Sequence, residues 1–114
     1  MEQRRSHGRY QIWFPVRVTG SDVDGIAVNR NISATGMLVG LSTRLEVGAA
    51  VELRFSVPAA TEPERILRGK VVRIEPNTED PDGMFPYRMA VAFDDPDPAL
   101  IPSLEHAVRA LAQQ

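Results

Sequence analysis

From Tyr10 onward the chain is a succession of short segments in which apolar side chains recur at every second residue, each closed off by Gly, Pro, Asn, Asp or Ser. A strand turns successive side chains to opposite faces, so this period suits half-buried strands and not helices. The clearest case is 51–57, where Val51, Leu53, Phe55 and Val57 face one way and Glu52, Arg54 and Ser56 the other. Further strands are predicted at 10–18, with Phe14, Val16 and Val18 on one face, and at 37–41, 66–75 and 87–93. Another is predicted at about 26–32, with Ile26, Val28, Arg30 and Ile32 on one side and Ala27, Asn29 and Asn31 on the other. Pro15 has no N–H for a ladder, which places it at an edge or a bulge. Turn-rich stretches at 20–25, 42–48, 58–63 and 77–83 separate the segments. Strands this short and this evenly spaced predict an all-β, mainly antiparallel fold closing into a small barrel, not a parallel sheet with crossover helices.

After the last strand the period changes. Leu100, Leu104, Val108 and Leu111, flanked by Ala107 and Ala110, recur at three to four residues and predict an amphipathic C-terminal helix at about 97–112. Asp97 or Ser103 is the expected N-cap, and Pro102 is tolerable only in a first turn. The apolar stripe is expected to cover the open end of the barrel. A chain of 114 residues has room for one domain, read as 10–114 behind a polar arm at 1–9. Its 43% hydrophobic and 25% charged residues belong to a folded chain despite nine prolines. No apolar run approaches the roughly 20 residues that span a bilayer. The opening residues lack the apolar stretch of a signal peptide, so a cytoplasmic location without membrane insertion is expected. The absence of cysteine excludes disulfides, thiolate chemistry and cysteine-ligated zinc.

The net charge of −2 conceals a polarity. Within 1–17, Arg4, Arg5, Arg9 and Arg17 stand against Glu2 alone, whereas 75–105 carries eight carboxylates against Arg88. A long duplex needs an extended basic face, but a small dianion needs only a local group of guanidiniums. Tyr10, Trp13 and Phe14 are suited to stacking on bases, but their strand pattern is that of core residues, and no nucleic-acid partner is expected. Catalysis is not expected either. His7 and His106 lie at opposite ends of the chain, and Asp94, Asp95 and Asp97 sit beside prolines in what reads as a solvated turn, with neither a catalytic nor a metal-binding set.

Two short patterns carry the functional signal. Arg5-Ser6-His7-Gly8-Arg9 is followed, after 21 residues, by Asn31-Ile32-Ser33-Ala34-Thr35-Gly36. A guanidinium is planar and permanently charged, and it donates in a fork that grips phosphate oxygens or the O6 and N7 edge of guanine. Asn31 can donate to and accept from a guanine edge, and Ser33 offers a hydroxyl. If the strand persists, both project on one face, and Gly36 is expected to reverse the chain with a positive φ. The alternative is an Asn or Ser turn that merely closes a hairpin. So polar an arm is expected to be mobile when empty, and ordering it costs about 1–2 kcal/mol per residue.

Together the patterns resemble the PilZ domain family, whose R-x-x-x-R and [D/N]-x-S-x-x-G motifs they match at every fixed position. The segments 69–74 and 88–93 look like the family's later strands, so the resemblance extends over about 4–94. It implies a six-stranded PilZ-like β-barrel with a C-terminal helix, and a bacterial receptor for the second messenger cyclic di-GMP, with no other cofactor. Arg5 and Arg9 would surround the ligand, with Asn31, Ser33 and Gly36 on the barrel rim. Arg4, just before the first motif arginine, goes in the family with an intercalated pair of ligands. The implied output is contact with an unidentified effector protein, in motility, surface attachment or biofilm formation. One departure is Ala90, where the family often has Gly; its methyl either crowds the ligand face or fills the barrel wall. The alternative is a PilZ-like interaction module with weak or no nucleotide binding.

Overall fold

A computed structural model of the chain describes residues 8–21, 23–59 and 63–112. Six strands, β1 (Phe14–Gly20), β2 (Asp24–Ile32), β3 (Gly36–Leu41), β4 (Ala50–Phe55), β5 (Arg65–Pro76) and β6 (Tyr87–Phe93), precede one helix, α1 (Leu100–Ala112). They form a closed antiparallel barrel in the order β1-β2-β3-β6-β5-β4, in which β1 pairs back onto β4. Closure leaves no free sheet edge. Pro15 lies opposite Val28 of β2, whereas pairing with β4 begins only at Arg17. The proline therefore occupies the stretch of β1 that has one neighbour, where its missing N–H costs least.

The interior is filled as the alternation requires. Phe14, Val16 and Val18 of β1 face Val51, Leu53 and Phe55 of β4 in one core, with the Phe14 and Phe55 rings stacked at 5.3 Å. Leu100, Leu104 and Ala107 of α1 are fully buried in the same core, so the helix covers the barrel as expected. Its buried face is narrower than the expected stripe, because Val108 and Leu111 are exposed. The helix begins at Leu100, which makes neither Asp97 nor Ser103 its cap. Asp97 instead accepts from Arg65 Nη1 at 2.9 Å, and Ser103 is buried within the helix. Pro102 stands in the first turn, where its absent N–H would have had no intrahelical partner.

β2 departs from simple alternation. Ala27 and Asn29 are fully buried and Ile26 is exposed, yet Ile32, expected on the same side as Ile26, is buried as well. The cause is a register shift against β3, with Asn29 opposite Val39 and Asn31 opposite Leu38. Arg30 is the extra residue of a bulge that switches which side chains point inward. Its guanidinium lies 4.8 Å over the ring of Trp13 and donates to Glu79 at 3.0 Å, while Arg88 reaches the same carboxylate at 3.0 Å. Trp13 is thus not a core residue but is 64% exposed, since Ile12 and Phe14 on either side of it take the inward positions. Among the described residues no helix is long and apolar enough to cross a membrane.

Candidate functional site

The end of β2, the turn after it and the start of β3 carry the second sequence pattern. β2 stops at Ile32, and the turn closes when Ser33 N–H donates to the Gly36 carbonyl at 2.9 Å. Ser33 Oγ accepts from Thr35 N–H at 3.2 Å, so the serine does close a local turn. The segment before β1 is tied alongside. Tyr10 and Ile32 exchange backbone hydrogen bonds at 2.8 and 3.1 Å, and the buried Asn29 Nδ2 donates to the Ile12 carbonyl at 2.7 Å. Asn29→Ala is expected to cost about 1–3 kcal/mol in chemical denaturation, because it strands that carbonyl without its donor.

This docking sets Arg9 over the turn. Its Nε donates to Asn31 Oδ1 at 2.6 Å, and its Nη1 makes a longer contact of 3.5 Å with Ser33 Oγ. Residues 22 and 24 positions away in sequence therefore meet one guanidinium, and the local turn and the shared site coexist. Asn31 Nδ2 has no partner among the described residues. Arg4 and Arg5, and with them the expected arm at 1–9 up to residue 7, lie outside the described residues.

Gly36 is required for a different reason from the one expected. Among the described glycines only Gly48 has a positive φ. At Gly36 the constraint is crowding: a Cβ there would collide with the backbone oxygen of Val91 in β6. Gly69 of β5 meets the same limit against the Ala92 carbonyl, so glycines on both flanking strands let their neighbours approach the end of β6 closely.

Beside Arg9 a cleft of about 470 Å³ runs across β2, β3, β6 and β5, within the size range of small-ligand sites. Arg9 and Asn31 form one wall and Val72 and Arg73 the other, over a floor that includes Gly36, Leu38, Ala90 and Ala92. Met89 and Val91 point into the core, which turns the two alanines of β6 outward. The Ala90 methyl therefore lies in the cleft and does not fill the barrel interior.

The cleft is cationic. Arg9 bonds only to neutral oxygens and pairs with no carboxylate among the described residues. Partial burial, and secondarily the charge of Arg73, pull its pKa below the usual arginine value, though it stays protonated. Arg73 Nε donates to Glu75 at 2.8 Å in an exposed pair. Arg73 went unassigned in the sequence reading, which gave it only a place in a strand. Of the acids near α1, Asp94 pairs with Lys70 at 3.4 Å and Asp97 with Arg65, while Asp95 is exposed. No group of three or more His, Cys, Asp or Glu suited to a metal occurs among the described residues.

A family model described as the PilZ domain matches residues 3–112. Among solved structures, the chain is similar to the Bacillus subtilis inhibitor of motility (MotI/DgrA), with a TM-score of 0.74 at 18% identity. That alignment covers 98% of this chain and 53% of the other, so the chain spans about half of its length. It is also similar to the PilZ domain of CeSA from a cellulose-synthesizing bacterium, with a TM-score of 0.58 at 19% identity, covering 91% of this chain and 97% of that one. At such identities the likeness is one of fold. No curated protein sequence matches the chain.

Proposed function

Since the chain belongs to the PilZ domain family, we propose that it is a receptor for cyclic di-GMP that signals by changing its contact with an effector protein. The observation that supports this most is the meeting of Arg9 with Asn31 and Ser33 beside the 470 Å³ cleft. The arginine is held by neutral oxygens and pairs with no carboxylate among the described residues, so its charge suits an anion. In the bound state Arg9 and Arg5 grip phosphate oxygens or stack on guanine, and Asn31 Nδ2, which has no partner among the described residues, donates to a guanine acceptor. Ser33 Oγ supplies a further polar contact. Gly36 and the alanine floor leave space for a planar base. Arg4 adds charge for a second, intercalated ligand.

The output is mechanical: the N-terminal segment rearranges around the ligand and alters the surface offered to a partner. The structural neighbours include a protein named as an inhibitor of motility and a domain from a cellulose-synthesizing bacterium. An effector in motility or surface attachment fits that setting.

Calorimetric titration with cyclic di-GMP at physiological salt tests the reading. Saturation at two ligands per chain is expected; saturation at one removes the intercalated pair, and no binding removes the receptor. Ala90→Leu, which fills the cleft floor without entering the core, is expected to weaken binding at least about tenfold with little loss of stability, since surface changes of this kind stay within roughly 0.5 kcal/mol.

A further inference from the structure

We propose that Arg73 is the second half of an anion grip, closing on the ligand's phosphates from the wall opposite Arg9 and outside either sequence motif; this rests on the receptor reading above.

Two register shifts flank the cleft. The one in β2 inserts Arg30 just before Asn31. The other lies in β5, where Val71 pairs with Val91 but the next pairing to β6 is Arg73 with Ala90. Regular alternation after the buried Val71 would turn Val72 out and Arg73 in. With the shift, Val72 and Arg73 are exposed side by side and both line the cleft. Bulges of this kind re-aim a side chain, and this one brings a guanidinium opposite the Ala90 methyl in the cleft floor.

The electrostatics ask for an occupant. Arg9 and Arg73 line the same 470 Å³ space, and the charge of Arg73 already opposes that of Arg9. A phosphodiester anion seated between them replaces repulsion by two charge-assisted contacts, and the guanidinium fork suits paired phosphate oxygens. Arg73 pairs with the Glu75 carboxylate, with the two side chains 61% and 40% exposed. An ion pair so open to water is weak, and phosphate can displace it. Glu75 is therefore a competitor that lowers affinity until the ligand takes its place.

The test is calorimetry on the wild type, Arg73→Met, Arg73→Lys and Glu75→Gln, titrated with cyclic di-GMP and separately with inorganic pyrophosphate. Arg73→Met is expected to weaken cyclic di-GMP binding roughly 10- to 100-fold, the range of a lost hydrogen bond to a charged group. Its thermal midpoint should not fall, because Arg73 contributes nothing to the core. Arg73→Lys should restore part of the loss by keeping the charge without the fork. Glu75→Gln should tighten binding a few-fold. If the wild type binds cyclic di-GMP and Arg73→Met follows within about twofold, the grip is overturned while the receptor reading survives. If pyrophosphate binds through Arg73 and cyclic di-GMP does not bind, the grip stands and the receptor reading falls. If neither binds the wild type, both fall.

Discussion

Arg9→Ala is expected to lower the affinity for cyclic di-GMP by at least about 100-fold, since two hydrogen bonds from a charged group, at about 1.5–3 kcal/mol each, are lost together. The substitution also removes the group to which Asn31 Oδ1 and Ser33 Oγ are bound, so the rim loses its organisation as well as its charge. Stability should hardly change. Arg9 is partly exposed, no carboxylate among the described residues depends on it, and its removal relieves the repulsion with Arg73. Arg9→Lys separates charge from geometry. It keeps one positive charge but cannot donate through Nε to Asn31 while presenting a fork elsewhere, so an intermediate loss of about tenfold is expected. A titration of the three proteins, paired with their melting curves, checks this. Equal affinities in Arg9→Ala and the wild type would remove the site from this end of the barrel.

Gly36→Ala is expected to produce one of the two largest losses of stability of any single methyl added to the chain, matched only by Gly69→Ala, whose Cβ would meet the Ala92 backbone oxygen in the same way. At position 36 the new Cβ would meet the Val91 backbone oxygen, which sits in the β3–β6 ladder and cannot rotate away as a side-chain tip can. Relief requires the two strands to part where Met37 and Val91 are both buried. Overpacking of this kind costs about 3 kcal/mol, or a fall of roughly 10 °C or more in thermal midpoint for a domain of this size. Gly25→Ala is the control. Nothing lies within 4 Å of a Cβ there, and its φ is not in the left-handed region, so the midpoint should stay or rise slightly. Equal midpoints for Gly36→Ala and Gly25→Ala would contradict the steric role.

The strands were legible because a period of two survives in nearly every segment: β4 and β6 read directly from Val51-Glu52-Leu53 and Met89-Ala90-Val91. The bulges were not. An inserted residue is defined by what lies opposite it, and neither Arg30 nor Val72 carries a mark of being extra. That one limitation accounts for Ile32 facing inward with Ala27 and Asn29 and for the unassigned Arg73. Trp13 was misread because its aromatic character outweighed its position between two inward residues. Of the site, Arg9, Asn31 and Ser33 were singled out through the two motifs that resemble the family's, whereas their direct hydrogen bonds to one another were not anticipated. Gly36 was given a positive φ that it does not have, and its crowding went unseen, since a Cβ collision depends on the neighbouring strand.

The central claim is that cyclic di-GMP lies across β2, β3, β6 and β5 between Arg9 and Arg73. Amide chemical-shift mapping of the labelled protein during titration with the nucleotide tests it most directly. The account requires the largest shifts at Asn31, Gly36, Leu38, Arg73 and Ala90, with those of Val51 and Leu53 in β4 unmoved. A spectrum that does not change, or shifts concentrated around the separate groove of Trp13, Arg30 and Phe85, would contradict it.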